Sequence, residues 1–248
     1  MSYFSRIQLD TAHPQARQAL LQAGVGHAYR EHQWLWQFFA TEHQAPRDFL
    51  FRRIEPRDDQ PGVVYTVSAR APLAPHPAWR VDSREYQPAL AQGERLRFEL
   101  RANPVRSIRP EGADPKRRSK RHDVVMHAKK HLIAAHSAGT WSKLGDAERP
   151  ALYPLVHEAV ADWLLGNADR PGVAARHGFI LDAPSLQVDS YLQHRFPRGN
   201  KAPISLSTVD ISGVLEVRDP LAFSNALLRG IGHAKAFGCG LLLARRAD

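Results

Sequence analysis

The chain has 248 residues, 43% hydrophobic and 24% charged, the balance of one large folded domain or two small ones. Lys and Arg total 34 against 25 acids, a formal charge of +9, which favours a polyanionic partner such as nucleic acid or an anionic membrane surface; a merely basic soluble protein is the alternative. The single cysteine, Cys239, excludes an internal disulfide and a cysteine-built zinc site, and no apolar run approaches the roughly 20 residues of a membrane span.

The first residues, Met1 to Ile7, read as neither a signal nor a transit peptide, so a cytoplasmic protein is expected. Tyr3 to Leu9 alternates like a strand. Thr11 is positioned to cap a short helix through Leu21, stopped by Gly24-Val25-Gly26. A second helix is expected from His27 to about Ala40, with Leu35, Trp36, Phe38 and Phe39 as its buried stripe. Phe49 to Ile54 and Val63 to Val67 read as strands, with Pro61-Gly62 turning between them. Proline-rich sequence follows from Pro72 to Pro77. Arg95 to Arg101 then alternates charged with apolar residues, a strand with one wet face, and Asn103-Pro104 ends it.

Residues 105–122 read as a basic linker or mobile loop, broken by Pro110, Gly112 and Pro115. Between Val105 and His131 nine Lys or Arg stand against three acids, so this stretch carries most of the net charge. Helices are expected from Asp123 to His136 and from Pro150 to Gly166. Phe179 to Leu192 and Ile204 to Val217 are strand-rich, with a basic turn between them. Asp219-Pro220 opens a helix through Leu228, and Leu241 to Ala244 is a final strand. Strand, helix, strand, strand recurs in both halves, which indicates two small α+β domains with antiparallel sheets: 1–104, then a linker at 105–122, then 123–248.

Two distant segments have the residue types for chemistry on RNA. Tyr29 and His32 are three apart, so a helix puts phenol and imidazole on one face. RNA supplies its own nucleophile, the 2′-hydroxyl, and an imidazole that titrates near neutrality suits the proton transfers its attack requires. The same spacing also fits a packed tyrosine and an exposed histidine, and His27 is a second imidazole nearby. In the tail, Gly230, Gly232, Gly238 and Gly240 permit tight turns and close backbone approach, and Lys235 adds a point charge; a phosphate nest and a plain helix–strand connection both fit. Arg195, Arg198 and Lys201, in the basic turn, are candidates for an RNA hairpin, or else a solvated tip. Arg117, Arg118 and Lys120 are candidate phosphate contacts. His127 and His131 are one turn apart, but two lysines lie between them, which argues against a metal.

Three segments carry a resemblance. They are Tyr29 to Trp36 with Arg47-Asp48-Phe49-Leu50-Phe51, then Leu96 to Pro104, and then Gly213 to Val217 with Gly230 to Leu242. On these the chain resembles the CasE-type CRISPR-associated endoribonucleases, the precursor-crRNA processing subunits of type I-E Cascade complexes. The resemblance implies two tandem ferredoxin-like (RRM-like) domains. It implies metal-independent cleavage 3′ of a CRISPR repeat hairpin, leaving a 2′,3′-cyclic phosphate and a 5′-hydroxyl, with no cofactor. His32 matches the family's catalytic histidine and Tyr29 its partner tyrosine, with base and acid roles open. The implied partners are the repeat RNA, precursor and mature, and the other Cascade subunits. The stretch from about 137 to 178 departs from the pattern as an insertion. A non-catalytic RNA-hairpin-binding subunit of a ribonucleoprotein is the alternative reading.

Overall fold

The computed structural model describes residues 1–23, 28–39, 47–56, 62–108, 120–167, 170–198 and 201–247. Its contacts divide the chain into two units, 1–90 with 224–243, and 91–223 with 244–248.

The first unit opens with β1 (Tyr3–Leu9), α1 (Ala16–Gln22), α2 (Ala28–Leu35), β2 (Phe49–Ile54), β3 (Val63–Ser68) and β4 (Trp79–Glu85). Its antiparallel sheet has the order β2-β3-β1-β4, the ferredoxin-like order, although the connection from β3 to β4 holds no helix. Alternation along the strands gives the sheet two apolar faces. Ile7, Phe49, Phe51, Val64 and Trp79 pack with Ala19, Trp34, Leu35 and Phe38 of the helical face. On the other face Leu50 and Val67 pack with Leu241, Leu228 and Leu243 from the tail. α1 begins at Ala16 rather than after Thr11, because Pro14 disfavours helical backbone at His13, and Gln15 at the cap makes no side-chain bond. The stop expected at Gly24-Val25-Gly26 lies outside the described residues.

The second unit begins with β5 (Arg95–Ala102), whose exposed and buried residues alternate as expected. β6 (Val105–Ile108) and β7 (Lys120–Asp123) pair with each other. The described parts of the expected linker therefore form a short ladder; Arg117 and Arg118 lie outside the described residues. Next come α3 (Val124–Ala135) and α4 (Leu152–Leu165), the two-residue strands β8 (Gly166–Asn167) and β9 (Arg170–Pro171), and α5 (Val173–Arg176). β10 (Phe179–Leu181), β11 (Gln187–Arg198), β12 (Lys201–Val217), α6 (Pro220–Arg229) and β13 (Leu242–Arg246) complete the chain. β5 pairs with β12 on one side and β13 on the other, while β11 and β10 share the opposite edge of β12. β11-β12-β5-β13 is again the ferredoxin-like order.

This pairing corrects the expected boundaries. β5 pairs with β12 and so opens the second unit instead of closing the first. The fourth strand of the first sheet is β4, which periodicity had not shown. The tail from 224 to 243 belongs to the first unit because its leucines cover that sheet. The basic turn expected between β11 and β12 is also largely strand, since pairing continues to Arg198 opposite Lys201.

Local capping follows the sequence closely. Asp219 accepts hydrogen bonds from the Leu221 and Ala222 amides at 3.0 Å, and Pro220 is the first residue of α6. Asp123 caps α3 by accepting from the Met126 amide at 2.7 Å. Its carboxylate also accepts from Tyr191 Oη at 3.0 Å and from Ser207 Oγ, which ties helix and hairpin strands together. Burial, and then the Asp123 charge, push the Tyr191 phenol well above its ordinary value. Arg101 of β5 forms a two-pronged ion pair with Asp210, its register partner in β12, both bonds at 2.9 Å. Among the described residues no helix is long and apolar enough to cross a membrane.

Replacing Asp123 with Ala should cost about 2–3 kcal/mol, from the lost cap and two hydroxyl bonds to a carboxylate. Asp123→Asn, which keeps acceptors, should cost less. Urea unfolding measures both, and a loss under about 0.5 kcal/mol for Asp123→Ala would show the carboxylate to be idle.

Candidate active site

The first unit brings His32 and Lys235 into one neighbourhood, although 203 positions separate them in the chain. His32 is on α2, which packs its apolar side onto the sheet, and the 3₁₀ turn Lys235–Phe237 contacts both α2 and β2. Tyr29 lies on the same helix one turn earlier, at a position that shares the His32 face.

The His32 ring is half-buried among aromatics. Phe49 and Phe51 lie 6.1 and 6.5 Å away, the latter nearly parallel at 17°, and Trp36 is edge-on at 6.1 Å. Trp36 Nε1 donates to His32 Nε2 at 3.3 Å, as residues four apart on a helix can. An indole nitrogen only donates, so in the neutral ring Nε2 holds the lone pair and Nδ1 the proton. Nδ1 is buried and has no hydrogen-bond partner among the described residues. Burial holds the imidazole below its usual range, and the Arg47 charge lowers it further.

Arg47 and Lys235 are the other charges here. Burial lowers both, and Arg47 also depresses Lys235. Arg47 Nη1 is buried without a hydrogen-bond partner among the described residues. The adjacent acids are engaged elsewhere. Asp48 is held by Arg70 through bonds of 2.7 and 2.9 Å, and Glu31 by Arg53 at 2.5 Å. The neighbourhood thus keeps an excess of hydrogen-bond donors and positive charge, which suits an anion.

The glycines shape the loop that presents Lys235. The Ile231 amide bonds the Gly240 carbonyl at 2.8 Å and closes it. Gly240 has φ +94°, and a Cβ there would stand 2.7 Å from the Ile231 carbonyl oxygen, so a side chain is excluded. Gly238, at φ +75°, lies against Phe51, where a Cβ would come within 3.2 Å of the ring. Gly232 is exposed, also with positive φ, and nothing crowds it. The loop therefore rests on the same β2 ring that flanks His32.

The hairpin candidates lie in the second unit. Arg195 is exposed on β11 opposite Ser205, and Arg198 and Lys201 are register partners at the end of the ladder. Beside them His194 bonds Thr208 Oγ1 at 2.8 Å and stacks on Phe196 at 5.7 Å. Lys120 is exposed at the start of β7. His127 and His131 do converge, Nε2 to Nε2 at 2.8 Å, but no group of three or more metal-ligating side chains forms among the described residues.

Arg47 stands within a segment that carries the resemblance, where sequence pattern gives it no role, yet it belongs to the His32 neighbourhood. Read in sequence, Arg47-Asp48 is a neutral pair, and only the fold shows that Arg70 takes the Asp48 carboxylate.

Comparison with known proteins agrees with this architecture. The chain is 28% identical to the CRISPR system Cascade subunit CasE of Escherichia coli, over 86% of this chain and 89% of that protein. It is 27% identical to the CRISPR-associated endoribonuclease Cse3 of Thermus thermophilus, over 97% and 98%. Among solved structures, the CRISPR endoribonuclease Cse3 bound to a 19-nucleotide RNA superposes with a TM-score of 0.61 at 23% identity, covering 98% of each chain. The CRISPR-associated protein Cas6e of Escherichia coli gives 0.50 at 22% identity, over 99% and 100%. A family model described as CRISPR associated protein matches residues 2–246, so this chain, with its two ferredoxin-like sheets and its cationic histidine site, belongs to that family.

Proposed function

We propose that the chain is a CasE-type endoribonuclease. It binds CRISPR repeat stem-loops in precursor crRNA, cleaves them without a metal, and stays on the product as a subunit of a cytoplasmic Cascade complex. The observation that carries this reading is the half-buried His32, held below its usual range, set beside two cations whose neighbouring acids are occupied.

In this reading the RNA 2′-oxygen attacks phosphorus. The O2′–P bond forms, the P–O5′ bond breaks, and the products are a 2′,3′-cyclic phosphate and a 5′-hydroxyl. A base must take the 2′-hydroxyl proton, an acid must supply one to O5′, and the phosphorane charge must be met. An imidazole held below its usual range is neutral at pH 7 and so ready to accept a proton. Its lone pair is at Nε2, where the 3.3 Å contact from Trp36 is long enough for the 2′-hydroxyl to replace it. Tyr29, one turn away, assists in orienting the hydroxyl or relaying the proton. Lys235 and the amides around Gly232, Gly238 and Gly240 meet the phosphate oxygens. Arg195, Arg198 and Lys201 on the hairpin, with Arg117, Arg118 and Lys120, hold the RNA backbone, which makes affinity fall as salt rises.

One observation favours a non-catalytic hairpin-binding subunit instead. Both ring nitrogens of His32 are enclosed in the free protein, Nε2 by Trp36 and Nδ1 by burial.

Single-turnover cleavage of a repeat hairpin separates the two readings. His32→Ala should lower the rate at least about 100-fold while hairpin affinity stays within about threefold. Full cleavage by that variant would remove His32 from the mechanism, and an inert wild type would favour the binding subunit. EDTA should leave the wild-type rate unchanged; strict dependence on added magnesium would overturn metal independence.

The pH profile tests the base role. A base must be unprotonated, so the rate at subsaturating RNA should climb tenfold per pH unit in acid. It should level off at a pH below 6.5, because burial and Arg47 lower the His32 value. A rate that falls through that range as pH rises would make His32 the acid.

A further inference from the structure

We infer that Arg47 is a phosphate-binding residue of this site, alongside Lys235: its guanidinium takes the non-bridging oxygens of the scissile phosphate. The inference rests on the endoribonuclease reading and adds to it a residue that the Tyr29–His32 pattern does not include.

Arg47 stands two residues before β2, the strand whose Phe49 and Phe51 flank the His32 ring. Its side chain is half-buried, and Nη1 is enclosed with no hydrogen-bond partner among the described residues. Buried donors are rarely left in that state, and a buried cation with no counter-charge among the described residues is costlier still. The described acids beside Arg47 and His32 in the chain do not relieve it. Asp48 is bound in a two-pronged ion pair to Arg70, and Glu31 is bound to Arg53. Instead Arg47 faces other bases, and its charge depresses both His32 and Lys235. A fold that holds three basic groups together at its own expense is organised for an anion that it does not itself supply.

Among the three, the guanidinium is the group suited to a tetrahedral phosphate. It is planar, always charged, and offers paired N–H donors spaced for two oxygens, whereas the Lys235 ammonium is a point charge. Attack by O2′ adds a second negative charge to the non-bridging oxygens before the P–O5′ bond breaks. Arg47 stays protonated throughout and meets that charge; the proton from O2′ goes to His32. Arrival of the phosphate also screens Arg47 from His32, which raises the affinity of the imidazole for a proton at the step where it must take one.

The test uses the full-length protein, a repeat hairpin, and the variants Arg47→Gln and Arg47→Lys, whose similar size protects the fold. Arg47→Gln should cleave about 100–1,000-fold more slowly in single turnover, the usual loss when one donor to a developing oxyanion is removed. Arg47→Lys should recover part of the rate, since it restores charge but not the fork. Two further readouts exclude a merely structural role. Sulfur in place of a non-bridging oxygen at the scissile phosphate should slow the wild type strongly and Arg47→Gln little. In the RNA-free protein, NMR titration should show the His32 pKa rising when Arg47 becomes Gln. Wild-type cleavage matched within about threefold by Arg47→Gln overturns the assignment and leaves the endoribonuclease reading standing. A slower variant with an unchanged sulfur effect and an unchanged His32 titration also overturns it. A wild type that leaves the hairpin intact overturns both.

Discussion

The site depends on a charge imbalance created by two ion pairs that lie outside it. Arg70 holds Asp48 and Arg53 holds Glu31, so the acids that directly precede His32 and follow Arg47 in the chain have their charge met elsewhere. If either carboxylate turned inward, it would neutralise Arg47 and raise the imidazole toward its ordinary value. The partly exposed pair, Arg70 with Asp48, adds little to stability by itself. Its consequence is electrostatic: it leaves a half-buried guanidinium with no acid among the described residues bonded to it.

Backbone geometry then sets where the second cation stands. Lys235 lies on a loop whose ends are joined by the Ile231–Gly240 bond and whose glycines rest on Leu50 and Phe51 of β2. That strand separates the two faces of the first sheet. Its odd-numbered aromatics turn toward α2 and flank His32, while Leu50 turns toward the tail leucines. One short strand thereby fixes the imidazole by its rings and the lysine loop by its close contact with glycine. The chain meets this demand by returning to its first unit after building most of the second.

Much of this was legible in the sequence, and the failures share a cause. Asp123 before α3, Asp219-Pro220 before α6 and the alternation of β5 are signals local to a few residues, and each marks the element that forms. Tyr29, His32 and Lys235 were legible as residue types, and the fold places His32 with Lys235. β4 was not legible, because Trp79–Glu85 is an edge strand, mostly exposed and rich in charge, with too little apolar alternation to show. The ladder of β6 and β7 lies in a basic, proline-broken stretch that reads as a linker. The ownership of β5 and of the tail depends on strand partners more than a hundred positions away, as between Arg101 and Asp210, and no local window contains that information. Arg47's role was not legible for the same reason, since its lack of a hydrogen-bond partner at Nη1 among the described residues follows from where Arg70 goes.

A second histidine cluster shows why positive surroundings alone do not make a site. His127, on α3, is also held below its usual range, by burial first and then by His131, His122, Arg106 and Lys130. Its ring has a partner, however, since Nε2 meets His131 at 2.8 Å. The arginine beside it is answered as well, because Arg106 bonds Asp162 at 2.8 Å. There the fold has closed its own electrostatic account with a neighbouring helix, and little remains for a ligand to satisfy. At His32 the same kinds of residue are arranged the other way. Among the described residues the imidazole keeps a buried N–H without an acceptor, the guanidinium keeps a buried N–H without an acceptor, and the neighbouring acids Glu31 and Asp48 are bound to other arginines. What distinguishes the two clusters is unmet donor capacity under partial burial, and a phosphate diester supplies what is missing: charge of the right sign with oxygens on several sides.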